Sequence, residues 1–338
     1  MNGRNNVGRR EFLAAGAATL AGIRSTANAA AKSWEWTSYG ADDFVTRYAP
    51  LNQITPGNVG GLEVAWELET LPRGVRPIGM NECTPIVVDG IMYLAGFGLD
   101  TYAVEAHTGK PIWSNPGLDA GSGSRRTRAA GVSRGLTYWK SGSEERIFAP
   151  VRGHILGINA KTGKLIDSFG LGAGIDLHQD LDRELGEWSI GSTTPGVVVG
   201  DLLIVTTRPG EGPRKEAPGH IRAYDCRTGK RRWIFHTIPH PGEFGYDTWP
   251  KDAWKTSGGA NCWGGMSVDR ERGLVFVATG SPTFDFWGGD RKGMNLFGNC
   301  VICLKAETGE RVWHFQTVHH DLFDWDLPCA PTLVPVMH

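Results

Sequence analysis

One phrase is repeated four times in this chain, and its repetition limits the possible folds more than any other feature. The copies read AVEAHTGKPIW (103–113), GINAKTGKLID (157–167), AYDCRTGKRRW (223–233) and CLKAETGERVW (303–313). Each copy contains a Thr-Gly pair that predicts a tight turn after a short apolar strand, because Gly tolerates a positive φ. The copies are 54, 66 and 80 residues apart, which is typical of one supersecondary unit used as an array.

Three of the copies place a Trp four residues after the Gly, namely Trp113, Trp233 and Trp313. A large ring at a fixed place in each unit can be buried against the neighbouring unit. The rest of the chain has short apolar runs separated by Gly-containing turns, with no sustained 3.6-residue period. These runs predict strands at 84–95, 101–106, 145–151, 154–159, 195–206, 219–225, 263–269, 273–279 and 300–305. We therefore expect an all-β fold, a β-propeller of four-stranded blades.

The length of the chain limits the number of blades. A blade takes about 40–50 residues, so the region 30–338 holds about four to five of them. A propeller brings its last blade against its first or leaves an open sheet edge. We therefore expect the chain to be the amino-terminal part of a longer propeller, or a truncated product.

Composition excludes several classes of partner. The chain has 35 basic and 36 acidic side chains and a formal net charge of −1, so it gives no electrostatic reason to bind nucleic acid or an anionic membrane. It lacks the C-x-x-C-H motif for c-type haem attachment. No stretch reaches the ~18 apolar residues of a membrane-spanning helix, so we expect no transmembrane segment.

The amino terminus resembles an export signal. Arg9 and Arg10 precede an apolar, Ala-rich stretch from Leu13 to Ile23, and Ala27-Asn28-Ala29 offers a small-residue cleavage site. Paired arginines before such a stretch are typical of the twin-arginine route. We expect residues 1–29 to be a twin-arginine signal peptide and residues 30–338 to be a periplasmic propeller domain. The alternative is a mildly amphipathic amino-terminal helix.

Several stretches resemble the quinoprotein dehydrogenases, enzymes that use pyrroloquinoline quinone (PQQ) in an eight-bladed propeller. These stretches are RYAPLNQI (47–54), the Thr-Gly repeats, GGANCWGGMSVD (258–269) and WHFQTVHHDLFDWDLP (313–328). The similarity runs from about Trp34 to the end and is greatest to the membrane glucose dehydrogenase branch. It implies a dehydrogenase that oxidises a sugar, polyol or other alcohol and passes electrons to ubiquinone or a cytochrome c.

The resemblance also implies a catalytic base and a Ca²⁺ site. Asp321 occupies the place of the family's proton acceptor, although the residues alone leave Asp324 and Asp326 as equal candidates. Calcium prefers carboxylate and amide oxygens, and the implied ligands here are Glu211, Ser281 and Asp321. Glu216 is the alternative to Glu211. The family often has Asn where this chain has Ser281, and Asp285 is a candidate to compensate for that weaker ligand.

Further residues are implied to hold the quinone. Trp263 resembles the indole that forms the floor under the flat cofactor, and Arg134 resembles the guanidinium that binds one of its carboxylates. Glu82 matches a Glu at the cofactor edge, and Ser192, Thr193 and Thr194 offer hydroxyl groups. Many relatives cover the second face with a Cys-Cys disulfide or a His, which this chain lacks, and Arg128 is the candidate to stack there.

A second hypothesis assigns no chemistry to the chain. Propellers whose blades dock through Trp also serve as periplasmic scaffolds that bind other proteins, and such a scaffold would share the repeats. It would have no reason to carry the acidic stretch 313–328 together with GGANCW. Those two stretches therefore favour the enzyme over the scaffold.

Overall fold

The computed structural model describes residues 34–70, 80–117, 131–172, 174–184, 186, 188–212 and 215–337. Its sheets and loops belong to one compact unit, Glu35–His338. The predicted signal peptide and Arg128 lie outside the described residues. Within the described ranges the helices are short 3-10 turns, Val59–Gly61, Tyr246–Thr248 and Ala253–Lys255, and none could cross a bilayer.

The described residues form four antiparallel sheets of four strands each, in chain order. The first sheet contains β1 (Ile86–Val88), β2 (Ile91–Ala95), β3 (Thr101–Glu105) and β4 (Pro111–Asn115). The second contains β5 (Thr137–Ser141), β6 (Glu144–Val151), β7 (His154–Asn159) and β8 (Gly174–Asp176).

The third sheet contains β10 (Val197–Val199), β11 (Leu202–Val205), β13 (Ile221–Asp225) and β14 (Arg231–Phe235). The fourth contains β15 (Met266–Asp269), β16 (Leu274–Ala278), β17 (Cys300–Lys305) and β18 (Arg311–Gln316). A separate two-stranded ladder pairs β9 (Ile190–Gly191) with β12 (Arg208–Pro209). The predicted all-β architecture of four-stranded blades is confirmed, and each Thr-Gly turn follows the third strand of its sheet.

Apolar side chains fill the three spaces between successive sheets. Ile86 and Leu156 belong to the cluster between the first and second sheets. Phe148 and Tyr224 share the next cluster, and Ile302 lies in the cluster between the third and fourth sheets. Because each sheet is covered by the next, its core residues are apolar on both faces, which explains why the strands read as apolar runs.

The repeated Trp joins one sheet to the turn of the next. The Nε1 atom of Trp113 donates to the carbonyl oxygen of Ala160 at 2.9 Å, and a Cβ on Gly163 would lie 2.6 Å from the Trp113 ring. Only Gly therefore lets the indole lie flat on the turn. Trp233 donates in the same way to Ala306 at 3.0 Å.

Two of the contacts that join one sheet to the turn of the next, here called joints, differ from what the repeat predicts. Trp66 lies outside the four copies, yet its Nε1 donates to Ala106 at 3.2 Å and its ring lies against Gly109 of the first repeat. The second copy has Asp167 instead of Trp. There the guanidinium of Arg146 donates to the carbonyl oxygens of Cys226 and Arg227 at 3.1 and 2.8 Å.

The first strands of the sheets converge, since β10 contacts both β5 and β15. The segment 35–47 runs along these inner edges from the first sheet to the fourth. Its Glu35 carboxylate accepts hydrogen bonds from the turn between β1 and β2. Asp43 forms two hydrogen bonds with Arg270, at 2.5 and 2.8 Å. Tyr39 lies between them, against Gly265.

Candidate active site

Four of the predicted cofactor positions share one structural location. Glu82, Arg134, Thr194 and Trp263 each stand three or four residues before the first strand of a sheet, β1, β5, β10 and β15 respectively. Because these first strands converge, the four side chains meet around one axis. The repeat architecture therefore brings together residues that are far apart in sequence.

Arg134 is fixed by contacts to both neighbouring sheets. Its Nη2 atom lies 2.9 Å from Oε2 of Glu82, and its Nη1 atom donates to Oγ1 of Thr193 at 2.6 Å. Backbone bonds support the same arrangement, since Thr84 donates to the carbonyl of Arg134 and Arg134 donates to that of Thr193. The guanidinium is thus held in one place by charge and by backbone pairing.

Trp263 lies next to this guanidinium. The Cζ atom of Arg134 is 5.2 Å from the centroid of the indole, which is a favourable cation–π distance. The hydroxyl of Thr194 donates to the Trp263 carbonyl at 2.6 Å. The indole nitrogen donates to Oδ2 of Asp326 at 2.5 Å. The ring is therefore oriented by polar contacts at both ends.

The ladder of β9 and β12 brings a second cation to the site. β9 leads directly into Ser192, and β12 carries Arg208, whose Nη2 atom is 3.2 Å from Oε1 of Glu211. The carboxylate of Glu216, the alternative to Glu211, lies so close to Gly210 that a Cβ there would clash with it. Both acidic candidates thus belong to the same loop, between β12 and β13.

Two adjoining cavities open at this place and share Arg134, Arg208 and Gly210. The larger, of about 510 Å³, is also lined by Glu82, Ser192 and Thr193. The smaller, of about 240 Å³, holds the acidic side chains. The smaller cavity is lined in addition by Glu211, Asn261, Trp263, Ser281, Thr283, Asp285, Asp324 and Asp326. The larger cavity is also lined by Arg152 and by one carboxylate, Glu82, whereas the smaller has four carboxylates. The larger cavity is therefore mainly cationic and the smaller mainly acidic.

Asp321 is placed differently from its neighbours. It is buried and lies outside the lining of both cavities. Its Oδ2 atom accepts from the hydroxyl of Ser281, from Nδ2 of Asn299 at 3.0 Å and from the Trp325 backbone at 2.7 Å. Its Oδ1 atom accepts from the Phe323 backbone at 3.0 Å. Burial opposes ionisation, but these donors outweigh it and lower the pKa of Asp321.

Two of the carboxylates that line the smaller cavity, those of Asp285 and Asp324, have raised pKa values instead. Burial, followed by the nearby charges of Asp324, Glu211 and Asp326, raises the pKa of Asp285 to about 7. Burial and the charges of Asp326, Glu211 and Asp321 also raise the pKa of Asp324. Groups that share negative charge in this way ionise reluctantly unless a cation lies among them.

Asn299 belongs to this site, although no motif in the sequence singled it out. It is fully buried just before β17, and its Nδ2 atom donates to Asp321, to the Ser281 hydroxyl at 3.2 Å and to the Trp325 carbonyl at 2.9 Å. Its Oδ1 atom has no hydrogen-bond partner among the described residues. An amide oxygen of this kind is a suitable ligand for a hard cation.

The residues present fit a hard cation and a polyanionic cofactor by their chemistry. Carboxylate, hydroxyl and amide oxygens are suitable for Ca²⁺, and burial together with the neighbouring negative charges raises the pKa values of Asp285 and Asp324. Two guanidinium groups, Arg134 and Arg208, can each bind a carboxylate. Among the described residues, however, only three His side chains place ligand atoms within 4.8 Å of one another. The acidic side chains stand farther apart.

Comparison with known proteins gives a consistent result. Residues 36–338 match the family model described as "PQQ: Glucose/ethanol/alcohol dehydrogenase, beta-propeller domain". A quinoprotein glucose dehydrogenase from Gluconobacter oxydans is 33% identical over 320 residues, which are 89% of this chain and 39% of that protein. A quinohemoprotein alcohol dehydrogenase ADH-IIG from Pseudomonas putida is 34% identical over 307 residues, 86% of this chain and 39% of that protein.

Solved structures show the same similarity. The structure of ADH-IIG from Pseudomonas putida HK5 aligns with a TM-score of 0.70 at 32% identity, covering 87% of this chain and 42% of that one. A europium-containing methanol dehydrogenase aligns with a TM-score of 0.67 at 25% identity, covering 86% and 50%. The chain thus spans about two fifths of the length of the glucose dehydrogenase and of ADH-IIG.

Proposed function

Because the chain belongs to the β-propeller family of PQQ-dependent glucose, ethanol and alcohol dehydrogenases, we propose that it binds PQQ and a hard cation and contributes the site at which a sugar, polyol or other alcohol is oxidised. The observation that carries this proposal is the pair of adjoining cavities, one cationic and one acidic, joined at Arg134 and Arg208. The acceptor of the electrons is ubiquinone or a cytochrome c, and the protein acts in the periplasm after export.

Each side of the site has its own task. Arg134, Arg208 and the hydroxyl of Thr193 hold the carboxylates of the cofactor, and Trp263 supplies a flat surface for its ring system. Glu211, Ser281 and Asp326 supply oxygen ligands for the cation, together with Oδ1 of Asn299. When bound, PQQ supplies the hydride acceptor and the cation supplies a Lewis acid.

The oxidation of an alcohol also needs an acceptor for the hydroxyl proton. Asp324 lines the acidic cavity, and no hydrogen bond to its carboxylate is found in the described structure. Both oxygens of Asp326 are engaged, by Trp263 and by the Ser281 backbone, and those of Asp321 accept four hydrogen bonds. We therefore assign proton removal to Asp324, and we assign to Asp321 the positioning of the loop that carries it. The prediction that Asp321 is itself the base stays open to a mutational test.

The charge of the acidic cavity bears on the identity of the cation. Four carboxylates and the guanidinium groups of Arg134 and Arg208 line it, so a divalent ion offsets its formal charge. The similar methanol dehydrogenase contains europium. We propose Ca²⁺ as the cation and retain a trivalent lanthanide as the second candidate.

The experiment is a titration of the purified chain with PQQ in the presence of Ca²⁺ or Eu³⁺, followed by cofactor absorbance and Trp fluorescence. Dye reduction is then measured with glucose, glycerol and ethanol. Saturable binding that requires the cation, with substrate-dependent dye reduction, supports the proposal. Absence of both binding and reduction overturns it for this chain and favours a protein-binding propeller.

A further inference from the structure

Three His side chains meet at one end of the third sheet, away from the residues that line the two cavities of the candidate active site. His220 directly precedes β13, His236 directly follows β14, and His240 lies in the loop that leads to the fourth sheet. Each offers a ring nitrogen within 4.8 Å of the ring nitrogens of the others. This spacing is close to what one metal ion requires, since Zn–N bonds are about 2.0–2.1 Å long.

The inward nitrogens of the cluster have no hydrogen-bond partner. The Nε2 atoms of His220, His236 and His240 are all buried and unpaired in the described structure. His220 is only 1% exposed. A buried polar nitrogen without a partner is unfavourable, and three such atoms in one small cluster indicate a shared ligand.

A second set of contacts orients the rings for metal binding. Oε1 of Glu243 lies 2.8 Å from Nδ1 of His236, and Oε2 of Glu243 accepts from the His240 backbone at 2.7 Å. The carboxylate therefore holds a proton on Nδ1 and leaves the Nε2 lone pair of His236 for the cluster. A carboxylate behind a ligating His is the usual partner that fixes its tautomer.

Charged side chains of both signs lie around the cluster. Oδ2 of Asp182 lies 3.4 Å from Nε2 of His236 without forming a hydrogen bond, and Glu243 provides the second negative charge. The opposing cations are Arg183, Arg222 and Arg231. Arg183 donates to the carbonyls of Trp254, Ser257 and Glu216, and Nη1 of Arg231 lies 2.7 Å from Oδ1 of Asp182. Burial, followed by the charges of His236 and Arg183, lowers the pKa of His220 well below its usual value.

We propose that His220, His236 and His240 form a binding site for a divalent transition metal such as Zn²⁺, with Asp182 or water as the fourth ligand. Imidazole ligands favour Zn²⁺, Cu²⁺, Ni²⁺ or Co²⁺ over Ca²⁺ or Mg²⁺, so this site is chemically distinct from the acidic cavity. The metal would join the beginning of β13 to the loop 236–262, which leads to Trp263.

Metal binding requires two local changes. The rings of His236 and His240 are stacked at 3.8 Å with an angle of 6°, so the His240 ring must turn until its lone pair points at the shared centre. Nδ1 of His220 now accepts from the Thr237 backbone at 3.1 Å. Ligation through Nε2 requires its proton to move to Nδ1. This breaks the bond from the Thr237 backbone N–H, and Nδ1–H then turns to the Thr237 hydroxyl, now at 3.5 Å.

The test uses the full chain, freed of metal by a chelator, with Co²⁺ as a spectroscopic probe. We expect a saturable visible absorption of one Co²⁺ per chain, typical of low-coordinate imidazole ligation, which Zn²⁺ displaces. His240→Gln, a partly exposed position, should abolish the band or weaken binding at least tenfold. Glu243→Gln should weaken binding about 10- to 100-fold, because it supports a ligand without being one.

His107→Gln is the matched control, since His107 is an exposed His on the turn of the first sheet. It should leave the Co²⁺ spectrum and affinity unchanged. Absence of a saturable band in the wild-type chain overturns the proposal, and so does a band that persists in His240→Gln. The readout depends on neither PQQ nor substrate, so it separates this proposal from the proposed dehydrogenase function.

Discussion

The indole nitrogen of Trp263 donates to Oδ2 of Asp326 at 2.5 Å, and this bond joins the entrance of the fourth sheet to the acidic loop that follows that sheet. Oδ1 of Asp326 accepts from the Ser281 backbone at 2.5 Å. One carboxylate thus ties together the predicted floor of the cofactor site, the predicted cation site and the predicted catalytic loop. The sequence positions 263, 281 and 326 converge because the start of β15 and the ends of β16 and β18 lie at the same end of the fourth sheet.

The assignment of the proton acceptor is tested by two substitutions in the same loop. Asp324→Asn should lower kcat of dye reduction by about 10²- to 10⁴-fold, the usual contribution of a general base, and leave unfolding unchanged. Asp321→Asn should destabilise the chain by about 2 kcal/mol, since an amide cannot accept all four hydrogen bonds. The measurements are steady-state kinetics and urea denaturation. A larger kcat loss for Asp321→Asn, at unchanged stability, would return the base to Asp321.

The charges in the smaller, acidic cavity predict that the stability of the folded chain depends on pH. Burial raises the pKa of Asp285 from 3.8 to about 7 in the folded chain, so between these values the folded state holds more protons than the unfolded state. The contribution of this group to stability is therefore largest below about pH 4 and falls as the pH rises to about 7. Asp285→Asn should flatten this part of the profile, measured as Tm against pH without added cation. Ca²⁺ should flatten it as well, and an unchanged slope in the variant would refute the attribution.

Cofactor binding should depend on the Arg134 guanidinium. Arg134→Gln removes a charged donor beside Glu82 and Thr193, and should weaken PQQ binding about 10- to 100-fold, equivalent to about 1.5–3 kcal/mol. Quenching of Trp fluorescence on PQQ addition measures the affinity. Arg232→Gln is the control, because Arg232 is exposed on β14 and should leave the affinity unchanged. Equal affinities for both variants would remove Arg134 from the site.

The Trp joints should differ in their contribution to stability. Trp233→Phe leaves the carbonyl of Ala306 without its donor and should cost about 1–3 kcal/mol. Trp313→Phe should cost less than about 0.5 kcal/mol, because this ring is 43% exposed and surface substitutions have small effects. Urea denaturation compares the two variants. Similar losses would mean that ring docking does not determine the stability of the array.

The repeats predicted much of the fold. The Thr-Gly turns, the strands at 154–159 and 300–305 and the four-stranded sheets were found at the places expected from the sequence. The joint made by Trp66 could not be predicted, since this Trp stands outside any repeated copy. Nor could Arg146 be assigned to the joint that lacks Trp, because its partners lie 80 and 81 residues away.

The candidate site was predicted unevenly. Glu82, Arg134, Thr193 and Trp263 do come together, because each precedes the first strand of a sheet. The roles of the three Asp residues in the loop 321–326 depend on which of their carboxylates accept hydrogen bonds from the backbone N–H groups of that loop. That choice is made by the loop conformation, in which Asp324 has a positive φ of 59°, and no sequence pattern specifies it. Asn299 was missed for the same reason, since its amide acts only through tertiary contacts.

The ion pair between Asp43 and Arg270 can form only late in the folding of this chain. These residues are 227 positions apart. Glu35 and Trp36 can pair with the first sheet as soon as it forms, but the bond from Asp43 to Arg270 cannot form until the fourth sheet exists. Such distant contacts form late and slow the search for the native state. During synthesis on the ribosome, the first three sheets would therefore be complete before Asp43 of segment 35–47 could pair with Arg270 of the fourth.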